Sequence, residues 1–252
     1  PWPKVYEDVR LKEREWLSYL RDAYKLLPGY GATRRAATAI MIASHDTYRQ
    51  MPSQYHDKCV YIPENGLDPA RFSAANENPI RKPLRIAFIG RLVPYKGADM
   101  LIEAAAPLLQ SGDAIIDILG DGPEMDRLKN LVQSLNVENA VKLEGWVPHE
   151  ELQQRVRESD VFGFPSIREF GGGVVLEAMI LGLVPIVVKH GGPAELVNDE
   201  TGYAIEVGPR EQIIAQFRAV LEQLAADPAP LLAKREHAVN IASKLFTWQA
   251  KA

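Results

Sequence analysis

Two acidic residues, Glu169 and Glu177, stand on either side of three consecutive glycines, Gly171, Gly172 and Gly173. An apolar run precedes the first acid and a helix-forming segment follows the glycines, so the pattern predicts a strand, a glycine turn and a helix. The first N–H groups of a helix have no partner within it, and glycine has no Cβ to hold a ligand away. We therefore predict an anion site at this turn, where both carboxylates could accept hydrogen bonds from hydroxyl groups.

A second group with binding chemistry lies on an earlier loop, where Arg91 and Lys96 follow an apolar segment that ends at Gly90. Charge-assisted hydrogen bonds from such cations to phosphate are worth on the order of 1.5–3 kcal/mol each before competing water is counted. Either cation alone would be interpreted as a solvated surface charge. Paired on a strand-to-helix loop opposite the glycine turn, they predict a pocket for a diphosphate.

Other loops of the same kind carry further candidates. Trp146, which precedes Val147, is either a stacking wall for a nucleotide base or a buried structural tryptophan. His190 is a candidate general base, and Glu195 is a further acid near the predicted crevice.

Several other kinds of site do not fit the sequence. The turn Gly120-Asp121-Gly122-Pro123 fails as a dinucleotide fingerprint, because Met125 stands where the third glycine would fall and Pro123 has no N–H. We predict instead a tight turn in which Pro123 begins a helix. The chain has no Asp-x-Asp pair, no P-loop, no Gly-x-Ser-x-Gly elbow and no histidine pair at helical spacing, so we predict no metal site.

The elements that position these residues alternate between strand and helix. The predicted strands span 84–90, 114–119, 141–143, 161–164, 184–188 and 203–205, with helical segments between them. Such an alternation predicts an α/β fold, a doubly wound, Rossmann-like parallel sheet covered on both faces. The loops after the strands should then converge on one crevice at the carboxyl edge of the sheet.

The segment before this alternation differs in character, so we predict a boundary near residue 75. Residues 1–75 contain an amphipathic helix over 5–27 that ends at Pro28, a short strand over 39–43, a helical turn capped by Ser44 and another strand over 60–62. They are predicted to be the closing edge of one unit, or alternatively an extension packed on residues 76–252.

The composition is that of an ordinary globular protein. Of 252 residues, 46% are hydrophobic and 25% are charged, and the formal charge of -4 argues against nucleic-acid binding. The single cysteine, Cys59, excludes an internal disulfide and favours a reducing compartment. We predict a cytoplasmic protein, with peripheral attachment of a longer parent to a membrane left open. The longest apolar run, 178–188, is shorter than the roughly 20 residues that span a bilayer, which predicts no transmembrane segment.

Several motifs occur in a familiar order: Gly90-Arg91 through Lys96-Gly97, Gly120-x-Gly122-Pro123, Pro165-Ser166-x-x-Glu169 with Glu177-Ala178-Met179, Pro185, Gly191-Gly192-x-x-Glu195 and Thr201-Gly202-Tyr203. This order resembles that of retaining glycosyltransferases of family four. Residues from about 36 to 250 resemble the carboxy-terminal, donor-binding half of such a GT-B enzyme. The segment 61–66 resembles its interdomain linker, and 246–248 resembles the segment before a closing helix.

The resemblance implies particular roles. Arg91 and Lys96 match the pair that holds the donor diphosphate as it leaves. Glu169 matches the acid that contacts the donor sugar, and Glu177 matches the acid that binds the ribose. The remaining matching positions are the phosphate and sugar cradle and the base site: Gly90, Gly171, Gly172, Gly173, Val174, Trp146 and Val147. The family often has a bulky residue where Gly171 stands, which leaves the donor sugar open.

The implied reaction transfers a sugar from a UDP-, GDP- or ADP-linked donor to an acceptor hydroxyl, with retained configuration, no metal and no cofactor. The acceptor, a glycan or lipid, would be held by an amino-terminal half. Two alternatives stay open: a donor-binding module without activity of its own, and a sugar-nucleotide epimerase with the same architecture.

Overall fold

The computed structural model describes residue 23 and residues 27–62, 65–72, 79–80, 82–169 and 171–251. The amphipathic helix predicted over 5–27 lies almost wholly outside these ranges. Its predicted end is instead the start of a helix, α1 (Pro28–Ala36), because a proline in the first turn of a helix removes no intrahelical hydrogen bond.

The first two strands form a small sheet of their own. Strands β1 (Ile40–Ile42) and β2 (Cys59–Tyr61) pair in parallel, and helix α2 (His45–Gln50) lies between them in the chain. The hydroxyl of Ser44 accepts the N–H of Thr47 at 3.1 Å, so α2 begins where the sequence predicts. The boundary near residue 75 stays a prediction.

Six further strands form the main sheet. They are β3 (Leu84–Ile89), β4 (Ala114–Leu119), β5 (Val141–Gly145), β6 (Val161–Phe164), β7 (Val184–Val188) and β8 (Tyr203–Ile205). The spatial order is β5-β4-β3-β6-β7-β8, and all neighbours are parallel. The predicted α/β fold is thereby confirmed. Chain order reverses between β3 and β6, and in sheets of this kind the ligand crevice lies at the carboxyl ends of the strands at such a reversal.

Helices fill the connections of the main sheet and follow it. They are α3 (Ala98–Ser111), α4 (Met125–Ser134), α5 (His149–Val156), α6 (Gly173–Ile180), α7 (Pro193–Leu196), α8 (Arg210–Ala226), α9 (Ala229–Leu245) and α10 (Trp248–Lys251). Helix α4 begins at Met125, because Pro123 lies in the turn before it, so the predicted start at Pro123 is wrong. Helices α8 and α9 are absent from the sequence prediction.

The core lies between the main sheet and its helices. Strands β6 and β7 are buried along their whole length, and Phe88, Phe162 and Phe164 have no exposed surface. Burial of each such side chain contributes about 1.5–3 kcal/mol. Helix α3 packs tightly on β6, since a Cβ at Gly163 would lie 2.6 Å from the Leu101 side chain.

Helix α3, which follows the loop of the predicted cations, is held by α8. Pro107 inside α3 has no N–H, so the carbonyl of Glu103 lacks its normal helical donor. Arg218 of α8 donates to that carbonyl at 2.8 Å, and Arg210 pairs with the carboxylates of Glu103 and Asp99 at 2.6 and 2.9 Å. These bonds fix the helix that anchors one side of the crevice.

Candidate functional site

The loop after β3 carries both predicted cations and is fixed at both ends. Leu92 is completely buried; its N–H donates to the carbonyl of Asp121 at 2.9 Å, and its carbonyl accepts from Glu124 at 3.1 Å. At the other end, Gly97 has a φ of 75°, and a Cβ there would lie 2.7 Å from the carbonyl oxygen of Pro165. Only glycine fits, and the loops after β3 and β6 therefore meet.

Lys96 and Glu169 lie on these two loops and form an ion pair. Their side chains are only 17% and 18% exposed. The ammonium of Lys96 also lies 5.0 Å from the ring centroid of Phe164, within the range of a cation–π interaction. The Tyr95 carbonyl accepts the N–H of Ile167 at 3.0 Å, which holds the loops in register. The pair offers a donor and an acceptor side by side to a ligand that carries both phosphate and hydroxyl groups.

The glycine turn leads into α6 as the sequence predicts. Gly172 is the N-cap, with a φ of 71° and no side-chain cap, and a Cβ there would lie 3.1 Å from Pro193 and Leu196. Within the described ranges, the N–H groups of Gly173 and Val174 have no acceptor. The positive end of the α6 dipole and these two donors therefore point towards the crevice, where an anion would be stabilised.

Glu177, in the second turn of α6, faces a residue that sequence reasoning missed. His149 opens α5 and places its Nε2 3.4 Å from Oε1 of Glu177. Both side chains are partly exposed, at 48% and 28%. The signal for His149 was its position just after the loop that follows β5, which reaches the same edge of the sheet.

A cleft of about 260 Å³ opens beside this edge. Its lining consists of Ile89, Gly90, Arg91, Leu119, Gly120, Asp121, Trp146, Val147 and Leu152. Trp146 is 73% exposed, so the alternative of a buried structural tryptophan is wrong. Arg91 is exposed and makes no ion pair with any described residue, which leaves its guanidinium available to a ligand.

The loops after β3 and β4 approach each other closely at two glycines, of which Gly120 lies in the lining of the cleft. Gly120 has a φ of 150°, and a Cβ there would lie 1.9 Å from the carbonyl oxygen of Gly90. At Gly122 a Cβ would lie 2.3 Å from the carbonyl oxygen of Leu92. The loops after β3 and β4 touch through their main chains, and these two glycines permit the contact.

Asn65, from the linker after β2, reaches the first turn of α6. A Cβ at Gly173 would lie 3.1 Å from its Oδ1. The segment around Asn65 is held by the end of the chain, because Leu67 donates to Phe246 at 2.7 Å and accepts from Trp248 at 3.1 Å. Sequence reasoning placed Asn65 in the linker but gave it no role.

Glu195 and His190 are not in the lining of the cleft. Glu195 and the residue after His190 instead contact the segment 45–61. Glu195 accepts the N–H of His45 at 2.6 Å and the hydroxyl of Tyr61 at 2.8 Å, so it joins the small sheet to α7. Burial, together with the Glu195 carboxylate, raises the pKa of Tyr61 to about 12. The backbone of Gly191, next to His190, donates to Asp46 at 2.9 Å.

Among the residues that the structure describes, no group of three or more His, Cys, Asp or Glu side chains is arranged to hold a metal ion. No helix in the same ranges is both long enough and apolar enough to cross a bilayer.

Residues 71–238 match the family described as glycosyl transferases group 1. The amylovoran biosynthesis glycosyltransferase AmsK of Erwinia amylovora is 29% identical over 180 residues, which are 69% of this chain and 44% of AmsK. The chain spans about half the length of the curated relatives it matches.

Solved structures share the fold. Anabaena HepE in complex with UDP and glucose superposes with a TM-score of 0.70 at 22% identity, covering 91% of this chain and 63% of HepE. Sucrose-phosphate synthase from Thermosynechococcus elongatus gives a TM-score of 0.72 at 26% identity, covering 87% of this chain and 57% of that one.

Proposed function

Because the chain belongs to the glycosyl transferases group 1 family, we propose that it is the donor-binding half of a retaining GT-B glycosyltransferase. It binds a nucleoside-diphosphate sugar at the carboxyl edge of the main sheet, and the joined enzyme transfers the sugar to an acceptor hydroxyl. One observation carries this proposal: the Lys96–Glu169 pair, the uncapped start of α6 and the cleft beside Trp146 lie along one edge of the sheet.

Different groups of the site bind different parts of the donor. The base lies against Trp146 and Val147 in the cleft, and the ribose hydroxyls bond to Glu177, whose carboxylate His149 already orients. The complex of HepE with UDP and glucose favours a uridine donor over its GDP- and ADP-linked counterparts. Glu169 accepts hydrogen bonds from the sugar.

The diphosphate occupies the space between the two loops. The amides of Gly172, Gly173 and Val174 donate to its oxygens, and Gly171 leaves room for the sugar because it has no side chain. Arg91 and Lys96 neutralise its charge, each contributing on the order of 1.5–3 kcal/mol before competition with water.

The reaction breaks the bond between the anomeric carbon and the outer phosphate oxygen and forms a bond to the acceptor oxygen. Negative charge then develops on the departing diphosphate, where the two cations and the amides of α6 stabilise it without a metal. The proton of the acceptor hydroxyl passes to the departing phosphate, and the configuration at the anomeric carbon is retained.

The acceptor, a glycan or lipid, is held by the amino-terminal half of the joined enzyme. The chain alone binds donor but transfers poorly, and joining it to an amino-terminal half restores transfer. A transfer assay with and without that half distinguishes the enzyme from an inactive binding module. Conversion of the donor sugar in the absence of acceptor would indicate an epimerase instead.

A melting assay tests the donor site directly. UDP is expected to raise the melting temperature of the chain, and Arg91→Ala is expected to abolish most of that rise. Arg157→Ala, which removes an exposed arginine outside the cleft lining, serves as the matched control and should keep the full rise. Equal shifts in all three proteins would argue that Arg91 does not bind the nucleotide, and no shift in any would refute the donor site.

A further inference from the structure

We propose that Arg127 is a positioning residue for the donor diphosphate, an inference that rests on the donor site proposed above. Its guanidinium joins the two ends of the loop that carries Arg91 and Lys96. Arg127 lies on α4 and is not in the lining of the cleft, so it acts on the ligand through that loop and does not touch it.

The loop with the two cations begins and ends at points fixed by different helices. At its start, the carbonyl of Leu92 accepts the N–H of Glu124 at 3.1 Å, which attaches the loop to the residue before α4. At its end, Gly97 is the N-cap of α3, and Asp99 lies in the first turn of that helix. The positions of both cations therefore depend on how α3 and α4 are held relative to each other.

A single guanidinium spans these two points. Nη1 of Arg127 donates to Oε2 of Glu124 at 2.7 Å and to Oδ2 of Asp99 at 3.1 Å, and Nη2 donates to the same Asp99 oxygen at 3.1 Å. Arginine suits this place because its planar fork presents several N–H donors in a fixed geometry, whereas the ammonium of lysine is a compact point charge. The bridge thus sets the separation of the two ends of the loop.

The bridge lies where water competes with it only in part. Asp99 is buried, with 8% of its surface exposed, and the side chains of Glu124 and Arg127 are partly buried. Burial lowers the pKa of Arg127, but its bonds to the two carboxylates outweigh that effect and hold this pKa above its ordinary value. Charge-assisted hydrogen bonds of this kind are stronger than bonds between neutral groups, so the bridge resists displacement of the loop.

The spacing of the two cations matters most for a ligand with two phosphates. A cation can follow a single phosphate by rotating its own side chain. Two phosphates joined through one oxygen, however, fix the positions at which both cations must bind at once. A loop whose ends are already joined loses little conformational entropy when such a ligand binds. Loss of the bridge should therefore weaken a nucleoside diphosphate more than a monophosphate.

Arg210 of α8 offers a matched control from the same cluster. It donates to the same oxygen of Asp99 at 2.9 Å and to Glu103 at 2.6 Å. Its bonds join α8 to α3, whereas those of Arg127 join α3 to the residue before α4. Replacing either arginine by methionine removes one positive charge and leaves Asp99 paired with the other arginine. The two variants therefore differ in whether the ends of the loop remain joined.

The test measures dissociation constants for UDP and UMP by calorimetry on the whole chain, in wild type, Arg127→Met, Arg127→Lys and Arg210→Met. Arg127→Met is expected to weaken UDP about tenfold, as the loss of one charge-assisted hydrogen bond would, and UMP by less than about twofold. Arg127→Lys keeps the charge but not the fork, so it should recover the UDP affinity only in part. Arg210→Met should bind both nucleotides within about twofold of wild type.

Urea unfolding of the same variants separates positioning from folding. If Arg127→Met and Arg210→Met weaken UDP in proportion to their loss of stability, Arg127 has only a structural role and the inference is wrong. It is also wrong if Arg127→Met changes UDP and UMP equally or changes neither, or if Arg127→Lys recovers the full UDP affinity, because charge alone would then suffice. Should Arg127→Met fail to fold, the partial loss expected of Arg127→Lys carries the comparison. If wild type binds neither nucleotide, the donor site itself fails, a result that does not depend on the variants.

Discussion

Replacing Gly120 by alanine should destabilise the chain far more than an ordinary glycine substitution. A Cβ at this position would lie 1.9 Å from the carbonyl oxygen of Gly90, a distance that no van der Waals contact allows. The φ of 150° is also one that residues with a Cβ rarely adopt. Backbone strain costs about 1–3 kcal/mol and overpacking about 1–3 kcal/mol, so we expect the two together to lower the free energy of unfolding by about 2–6 kcal/mol.

Urea unfolding followed by circular dichroism measures this loss. Gly112→Ala is the matched control, because Gly112 has a φ of 78° but nothing within 4 Å of its Cβ position. The Gly112→Ala variant has the backbone strain of a positive φ but no steric clash, so its free energy of unfolding should fall by about 1–2 kcal/mol. If Gly120→Ala costs no more than Gly112→Ala, the close approach of the loops after β3 and β4 does not exist as described. A second readout is UDP binding, which Gly120→Ala should weaken and Gly112→Ala should not.

Two further predictions concern the contacts around the site. Since the pKa of Tyr61 is raised from 10.0 to about 12 by burial and by Glu195, the folded state holds this proton more tightly than the unfolded state, and stability should fall between about pH 10 and 12. The fall should be smaller in Tyr61→Phe, as measured by melting temperature against pH, and identical curves would contradict the contact. Arg235 and Asp160 form a buried pair at 3.1 Å with both side chains 7% exposed, so Arg235→Ala should cost about 3–5 kcal/mol in urea unfolding by leaving a buried carboxylate unpaired. A loss below 1 kcal/mol would be too small for a buried charge and would show that water reaches Asp160.

Much of the main sheet could be predicted because its strands are short apolar runs without alternation, as at β7, separated by segments of helical length. The order of the strands could not, because it depends on which runs pair across distant parts of the chain. Helices α8 and α9 could not be predicted from the alternation of strand and helix, because they follow its last strand, although Pro209 and Pro228 precede them.

The candidate site, like the fold, could be predicted only in part. Lys96, Glu169 and the glycine turn could be predicted, because charge and glycine at the ends of strands have a clear local meaning. The partners of these residues could not. His149 meets Glu177, and Asn65 meets Gly173, only because the fold brings separate loops to one edge. Trp146 shows the limit most clearly, since its sequence context allowed either burial or exposure and only the packing decides.

The close glycine contact between the loops after β3 and β4 also restricts how descendants of this chain could change their ligand. Any side chain added at Gly120 or Gly122 would push the two loops apart, so mutation there is removed by selection for folding before it can alter binding. Inherited variation in ligand preference must therefore accumulate elsewhere in the lining, at positions such as Trp146, whose side chain is 73% exposed. The contact between the two loops stays constant while the exposed part of the lining diversifies.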